Sequence, residues 1–273
     1  MICPRYHRVK EISVATKTWR FDAERVLPWL LPITILVSWQ TLAQIGWITS
    51  RTMPAPLDVV KAGIAVASSG ELWQHLLVST RRALTGLAIG GSIGFVLGLI
   101  TGLSRLGESL LDSTIQMIRN IPLLAIIPLV ILWFGIDEGG KIFLVSLSVF
   151  FPLYINTYHG LRSVDKGLIE MGGVYGLSRW GLFRQVILPG ALPSILVGLR
   201  LSLGYMWLFL VVAETIASSE GIGYMTMNAR EFLQTDVVVL GITIYALLGI
   251  VSDQLATQLE RRWLKWHAGY RVA

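Results

Sequence analysis

The stretch Gly135-Ile136-Asp137-Glu138-Gly139-Gly140-Lys141-Ile142 has the glycine and lysine spacing with which a phosphate-binding loop cradles a nucleotide. The chemistry fails at its last position. Ile142 stands where a Ser or Thr hydroxyl would hold magnesium, no strand precedes the run, and the segment reads as a tight turn between two apolar stretches. No other stretch suits ATP. The four histidines, His7, His75, His159 and His267, are scattered without metal-ligand spacing, and no nucleophile has an evident general base. The single cysteine, Cys3, excludes an intrachain disulfide and a cysteine-based metal site. The chain is therefore expected to perform no bond chemistry and to hold no cofactor or metal of its own.

Composition says what surrounds these residues. Of the 273 residues 53% are hydrophobic and only 15% charged, with 27 Gly and 10 Trp. That balance excludes an ordinary soluble enzyme. A hydrocarbon core about 30 Å thick takes roughly 20 apolar residues per helical crossing. Six runs almost free of charge are read as crossings: 26–48, 83–104, 120–136, 142–161, 191–213 and 237–252, the last borrowing flanking residues. Residues 1–25 form a polar tail, and the run after them is too long for a signal-peptide core and lacks a cleavage pattern, so it is expected to stay as an anchor. Backbone amides find no water in lipid, and the runs lack the alternation of barrel strands, so the fold is all-α.

Charge placement sets the orientation. With the N-terminus inside, sixteen of the 23 Lys and Arg fall on the inner side, among them those of residues 1–25, 162–190 and 253–273. Arg51, Lys61, Arg81, Arg82, Lys141 and Arg230 fall outside, and Arg200 lies within the fifth run. Both termini are accordingly expected in the cytoplasm. The +6 net charge is a matter of membrane topology, and no nucleic-acid partner is implied. In the outer loop 49–80, residues 57–67 form an amphipathic segment expected to be a surface helix, either packed on the bundle or touching a partner.

Gly86, Gly90, Gly94, Gly98 and Gly102 recur every four residues and share one slowly winding face of the second crossing. Removing side chains from one face lets another backbone come close. Two uses fit: static tight packing, or sliding and tilting of helices against one another. Either places this helix inside the bundle.

The 28 residues from Arg162 to Pro189 are too many for a simple connection and read as helix, break, helix. A first helix is expected over about 165–174, ended by a left-handed Gly176. Ser178 then caps a second helix over about 179–186, which has an apolar side of Trp180, Leu182, Phe183 and Val186 suited to a partner's groove. Pro189 and Pro193 set the start of the fifth crossing. Here the chain resembles a family. Glu170-Met171-Gly172, Gly176 and Val186-Ile187-Leu188-Pro189 keep the spacing of the EAA loop, E-A-A-x3-G-x9-I-x-L-P, of bacterial ABC importer permeases, with Met171 and Gly172 at the alanines and Val186 at the isoleucine. Ile118-Arg119-Asn120-Ile121-Pro122, Leu132-Trp133-Phe134-Gly135-Ile136 and Asn228-Ala229-Arg230-Glu231-Phe232 resemble the nitrate, sulfonate and taurine branch, most of all its aliphatic sulfonate members.

The resemblance implies a type I importer permease fold with a cytoplasmic coupling loop, in the bacterial inner membrane. It further implies two permease copies, two cytoplasmic ATPase subunits that bind ATP and magnesium, and an extracytoplasmic substrate-binding protein. Glu170, Gly176, Leu177, Ser178, Arg179, Trp180, Leu182, Phe183 and Pro189 would engage the ATPase. Six helices enclose little space alone, which favours a homodimer. Arg200, about nine residues into the fifth run, could meet a sulfonate, snorkel to the cytoplasmic face or pair with a neighbouring acid. Tyr205 and Trp207 are further pathway candidates. Glu214, at the outer mouth, would repel an anion and suits pairing or gating. His159 reads as an interfacial hydrogen-bonding residue. The solute is left open among alkanesulfonates, taurine, nitrate and a thiamine precursor. A proton-coupled transporter is disfavoured because none of the six runs contains Asp or Glu.

Overall fold

The computed structural model of the protein describes residues 23–216 and 218–266. The tail before residue 23, with Cys3 and His7, and residues 267–273, with His267, lie outside them. Helix α1 (Ala23–Gln44) is joined by the turn around Gly46 to α2 (Pro56–Ser68). Gln40 Oε1 accepts a hydrogen bond from the Leu57 amide at 3.1 Å. Pro56 starts α2 where no N–H is needed, and Asp58 faces the positive end of the helix dipole. The amphipathic stretch expected over 57–67 is this helix, which packs on the last helix of the chain.

Helix α3 (Glu71–Leu103) carries the glycine series and runs 33 residues. It starts twelve residues before its uncharged run does. Arg82, which ends that run in the sequence, and His75 two turns before it are buried and hydrogen-bonded, so the helix continues through them. Arg82 is thus not the outer-loop charge it was expected to be. After a bend at Ser104 come α4 (Arg105–Gly107), a π-helical turn Glu108–Asp112 and α5 (Ser113–Arg119), forming one limb. The stretch 120–136, expected as one crossing, is broken. Pro122 lacks an N–H and disfavours helix at Ile121, so the chain turns by 85° into the 3-10 turn Leu123–Ile126 and α6 (Ile127–Phe134).

Gly135, at φ +68°, lets the chain reverse into α7 (Glu138–Arg162). Next come α8 (Lys166–Val174), α9 (Arg179–Leu182), a π-helical turn Phe183–Ile187 and α10 (Leu188–Ile216). The expected break between coupling helix and fifth crossing is absent: Arg179–Ile216 is one rod, which absorbs Pro189 with a π turn directly ahead of it. Helices α11 (Ile222–Glu231) and α12 (Thr235–Trp263) are the last among the described residues, α12 extending well past the expected end at 252.

The spine is α7, held between α3 and α10. Ala83, Val145, Val149, Met206 and Leu210 form its buried centre, and Leu153, Leu161, Val164, Ala191 and Ile195 form a second cluster toward the α8–α9 loop. Outward positions such as Ile93 and Val96 of α3 and Ile250 and Val251 of α12 are apolar and half-exposed, which suits lipid rather than water. Four described helices are long and apolar enough to cross a membrane: α3, α7, the 179–216 rod and α12. The bent pair makes a fifth if its limbs are one crossing.

Candidate functional site

Local sequence builds the α8–α9 loop. Asp165 Oδ1 accepts from the Gly167 amide at 2.7 Å and caps α8. Gly176, at φ +77°, ends α8: the Leu177 amide donates to Gly172 O at 3.1 Å, closing the six-residue bond of a left-handed helix stop. Ser178 Oγ then accepts from the Gly181 amide at 3.1 Å and caps α9.

Gly172 is buried where α8 meets α9. A β-carbon there would lie 2.7 Å from Leu182 Cδ1 and 3.2 Å from Leu177 Cδ1. Both Leu182, which packs on Gly172 of α8, and Phe183, which packs on the second core cluster, are half-buried. Arg179, Trp180 and Glu170 are exposed, and the Trp180 ring stacks on Phe183 with centroids 5.5 Å apart. Val174 and Tyr175 are 87% and 80% exposed, so an apolar surface stands bare at this end of the molecule. Pro189 lies half-buried at the root of the rod.

A cleft of about 420 Å³ opens along the bundle where the 85° bend meets α7 and α10. Arg119 and Asn120 line it from the bend, Ser148 and Asn156 from α7, and Tyr205 and Phe209 from α10. Its wall therefore mixes one cation and several amide and hydroxyl groups with apolar surface. Of the four residues expected along a pathway, only Tyr205 faces this cleft. Arg200 donates to Asp253 through Nε at 2.6 Å and Nη2 at 2.9 Å, tying α10 to α12. Trp207 is buried and donates through Nε1 to Ser252 Oγ at 2.7 Å.

Glu214 is 1% exposed and sits in a polar knot that the sequence alone did not disclose. It accepts from Ser79 Oγ and Arg82 Nη1 at 2.8 Å, from Tyr245 Oη at 2.8 Å and from the Gly223 amide at 2.9 Å. Arg82 also donates to Glu138 Oε2 at 2.7 Å and to the Glu220 carbonyl at 2.6 Å, and Lys141 completes the group by donating to Glu138 at 2.9 Å. His75 Nδ1 accepts from the Gly221 amide at 3.1 Å. The knot fastens the start of α11 to α3 and α7. It also corrects the expectation that the crossings hold no acid: Glu138, Glu214 and Asp253 all lie within long helices, each paired with arginine. His159 lies one turn from the loop end of α7, with its ring 5.1 Å from that of Tyr158.

The glycine series forms the α3–α7 seam. A β-carbon on Gly90 would lie 1.9 Å from Ser146 O, and one on Gly94 2.6 Å from Phe150 O, so backbone meets backbone. Gly86, Gly98 and Gly102 would meet Val145, Thr157 and Leu161 within 2.7 Å. Lys141, the lysine of the phosphate-loop pattern, is spent on Glu138.

A bundle of lipid-length helices with a lateral cleft is the architecture of a membrane-embedded protein. The chain belongs to the family described as the binding-protein-dependent transport system inner membrane component, whose pattern it matches over residues 94–265. It is 60% identical over 261 residues to the aliphatic sulfonates transport permease protein SsuC of Escherichia coli K12, covering 96% of this chain and 98% of that one. It is 45% identical to the SsuC of Bacillus subtilis 168, over 88% and 87% of the two chains. The taurine transport system permease protein TauC of Escherichia coli K12 is 38% identical, over 85% and 86%. In fold it is similar to a chain from the crystal structure of an amino acid ABC transporter with histidines, with a TM-score of 0.56 at 19% identity, covering 76% of this chain and 97% of that one. The protein is thus an inner-membrane, multi-pass ABC importer permease.

Proposed function

We propose that this subunit forms the translocation pathway for aliphatic sulfonates, driven by ATP hydrolysis in a partner that docks on the α8–α9 loop. The carrying observation is the 60% identity, over nearly the full chain, to a permease named for aliphatic sulfonates, against 38% to one named for taurine. The cleft's chemistry supports this reading. A sulfonate joins a charged head to an alkyl tail, and the cleft sets Arg119, Asn120 and Asn156 beside Phe151 and Phe209.

In this reading α1 is the first of six crossings, the bent pair is the third, and both termini are cytoplasmic. Two copies face each other across their clefts, because one copy leaves its cleft open along the side. An ATPase sits under each α9, gripping Trp180, Arg179 and the Val174–Tyr175 corner, and an extracytoplasmic binding protein delivers the solute at the opposite end. The α9 surface is continuous with the 179–216 rod, so force on the loop tilts a helix that lines the cleft.

The test is ATPase stimulation of the reconstituted complex by binding protein loaded in turn with an alkanesulfonate, taurine and nitrate. Alkanesulfonate is expected to stimulate most. Equal or greater stimulation by taurine reassigns the solute, and uptake by ATP-depleted vesicles removes the pump itself.

A further inference from the structure

Three side chains of α7 fall on one stripe at four-residue steps, Tyr154, Tyr158 and Arg162, and that stripe faces the π-helical turn Glu108–Asp112. Tyr154 Oη donates to Asp112 Oδ1 at 2.9 Å, and Tyr158 Oη donates to Glu108 Oε1 at 2.6 Å. Arg162 closes the series: its guanidinium pairs with the other oxygen of Glu108 and lies 5.9 Å from the centre of the Tyr158 ring. The two tyrosine rings are parallel to within 4°, with centroids 6.3 Å apart. Tyr154 is fully buried, so its hydroxyl has no water to turn to if Asp112 moves away.

The positions of the two ends give this ladder its meaning. Arg162 is the last residue of α7, immediately before the α8–α9 loop. Glu108 and Asp112 belong to the limb that ends at Arg119, where the 85° bend lines the cleft. The limb's backbone leans on the end of α3 and touches α7 only slightly, so side chains make the link to α7. Hydrogen bonds to ionised acceptors are the strong kind, and π turns recur where helices must adjust.

We propose that Tyr154, Tyr158, Arg162, Glu108 and Asp112 form a strut that makes this limb follow the loop end of α7, so that displacement of the loop reshapes the cleft at Arg119–Pro122. The proposal rests on reading the α8–α9 loop as the ATPase dock. These are positioning residues; none of them lines the cleft.

The test uses the full complex in lipid, with Cys3→Ser as background and two reporters, Val174→Cys on the loop and Asn120→Cys at the bend. Each is labelled with a water-soluble maleimide with and without vanadate-trapped ATP. With the strut intact, both labelling rates respond to trapping. In Tyr154→Phe/Tyr158→Phe, which keeps the rings and removes the hydroxyls, the response at Val174→Cys persists and that at Asn120→Cys disappears. Sulfonate moved per ATP hydrolysed, measured in the Cys3→Ser background without either reporter, falls about tenfold, the factor carried by about 1.4 kcal/mol. If the double variant fails to assemble, Glu108→Gln, which removes the Arg162 ion pair, takes its place with the same expectation. An unaltered response at Asn120→Cys with unaltered coupling in these variants overturns the strut. So does an intact protein in which only Val174→Cys responds. Labelling of Val174→Cys that is equally fast with and without the ATPase subunits defeats the docking reading beneath it.

Discussion

Arg82 gathers most of the polar contacts at the α11 end of the bundle, bonding Glu138, Glu214 and the Glu220 carbonyl at once. Removing one member of a buried pair strands the other, which costs more than the pair contributes. Arg82→Met is therefore expected to lower stability by about 3–5 kcal/mol. The check is the thermal midpoint of the detergent-solubilised protein, which should fall by more than about 5 °C. Arg200 is a different case, since it and Asp253 are both about half-exposed, with side chains at 43% and 52%. Arg200 also lies 3.8 Å from the buried Glu260, so Arg200→Ala strands that acid and should lower stability, yet keep uptake within about twofold at normal expression because Arg200 does not line the cleft. A larger loss at normal expression would put Arg200 on the solute's route. In a linear sequence these two arginines look alike, as cations beside or inside apolar runs. Only the third dimension shows that one has a buried acid, Glu214, and a surface acid, Glu138, waiting and the other partners on α12.

Helix boundaries were legible where a local signal made them, and illegible where a distant partner did. Gly176, Ser178 and Asp165 announce the breaks of the α8–α9 loop because each acts within its own few residues. The true lengths of α3 and α12 were hidden because the charges at 82 and 253 are satisfied by other helices. The bend at Asn120–Pro122 was present as a proline signal inside a run whose hydrophobicity suggested a plain crossing. The glycine series was legible as a seam but not as to its partner, which is α7. That partner sets the expected outcome at Gly94, where even a β-carbon would meet Phe150 O at 2.6 Å. Gly94→Leu should abolish assembly, measured as recovery of intact complex, and a normally assembled variant would remove the seam. At the loop, two glycines inserted after Gly176 should leave ATP hydrolysis intact but insensitive to loaded binding protein, because the lever between α8 and α9 becomes slack. Stimulation that survives the insertion rules out transmission through this corner.

The whole molecule has two unlike ends, and their charges bear on its orientation. Of the six cations expected outside, Arg82 and Lys141 are buried and neutralised by Glu138 and Glu214, and Lys61 lies 3.4 Å from Asp58. Arg51, Arg81 and Arg230 are what that end offers to a membrane surface. The other end holds Arg105, Lys166, Arg179, Arg184, Arg261 and Arg262 near its helix termini. The asymmetry is therefore steeper in space than a count along the chain suggests, and it favours placing the α8–α9 loop in the cytoplasm. Val174 on the loop and Phe232 after α11, 87% and 69% exposed, report the two ends. In intact cells a membrane-impermeant maleimide should label Phe232→Cys and leave Val174→Cys unlabelled, and inverted vesicles stripped of the ATPase subunits should reverse the pattern. Labelling of Val174→Cys from outside would turn the molecule over and take the ATPase dock away from the only compartment that supplies ATP.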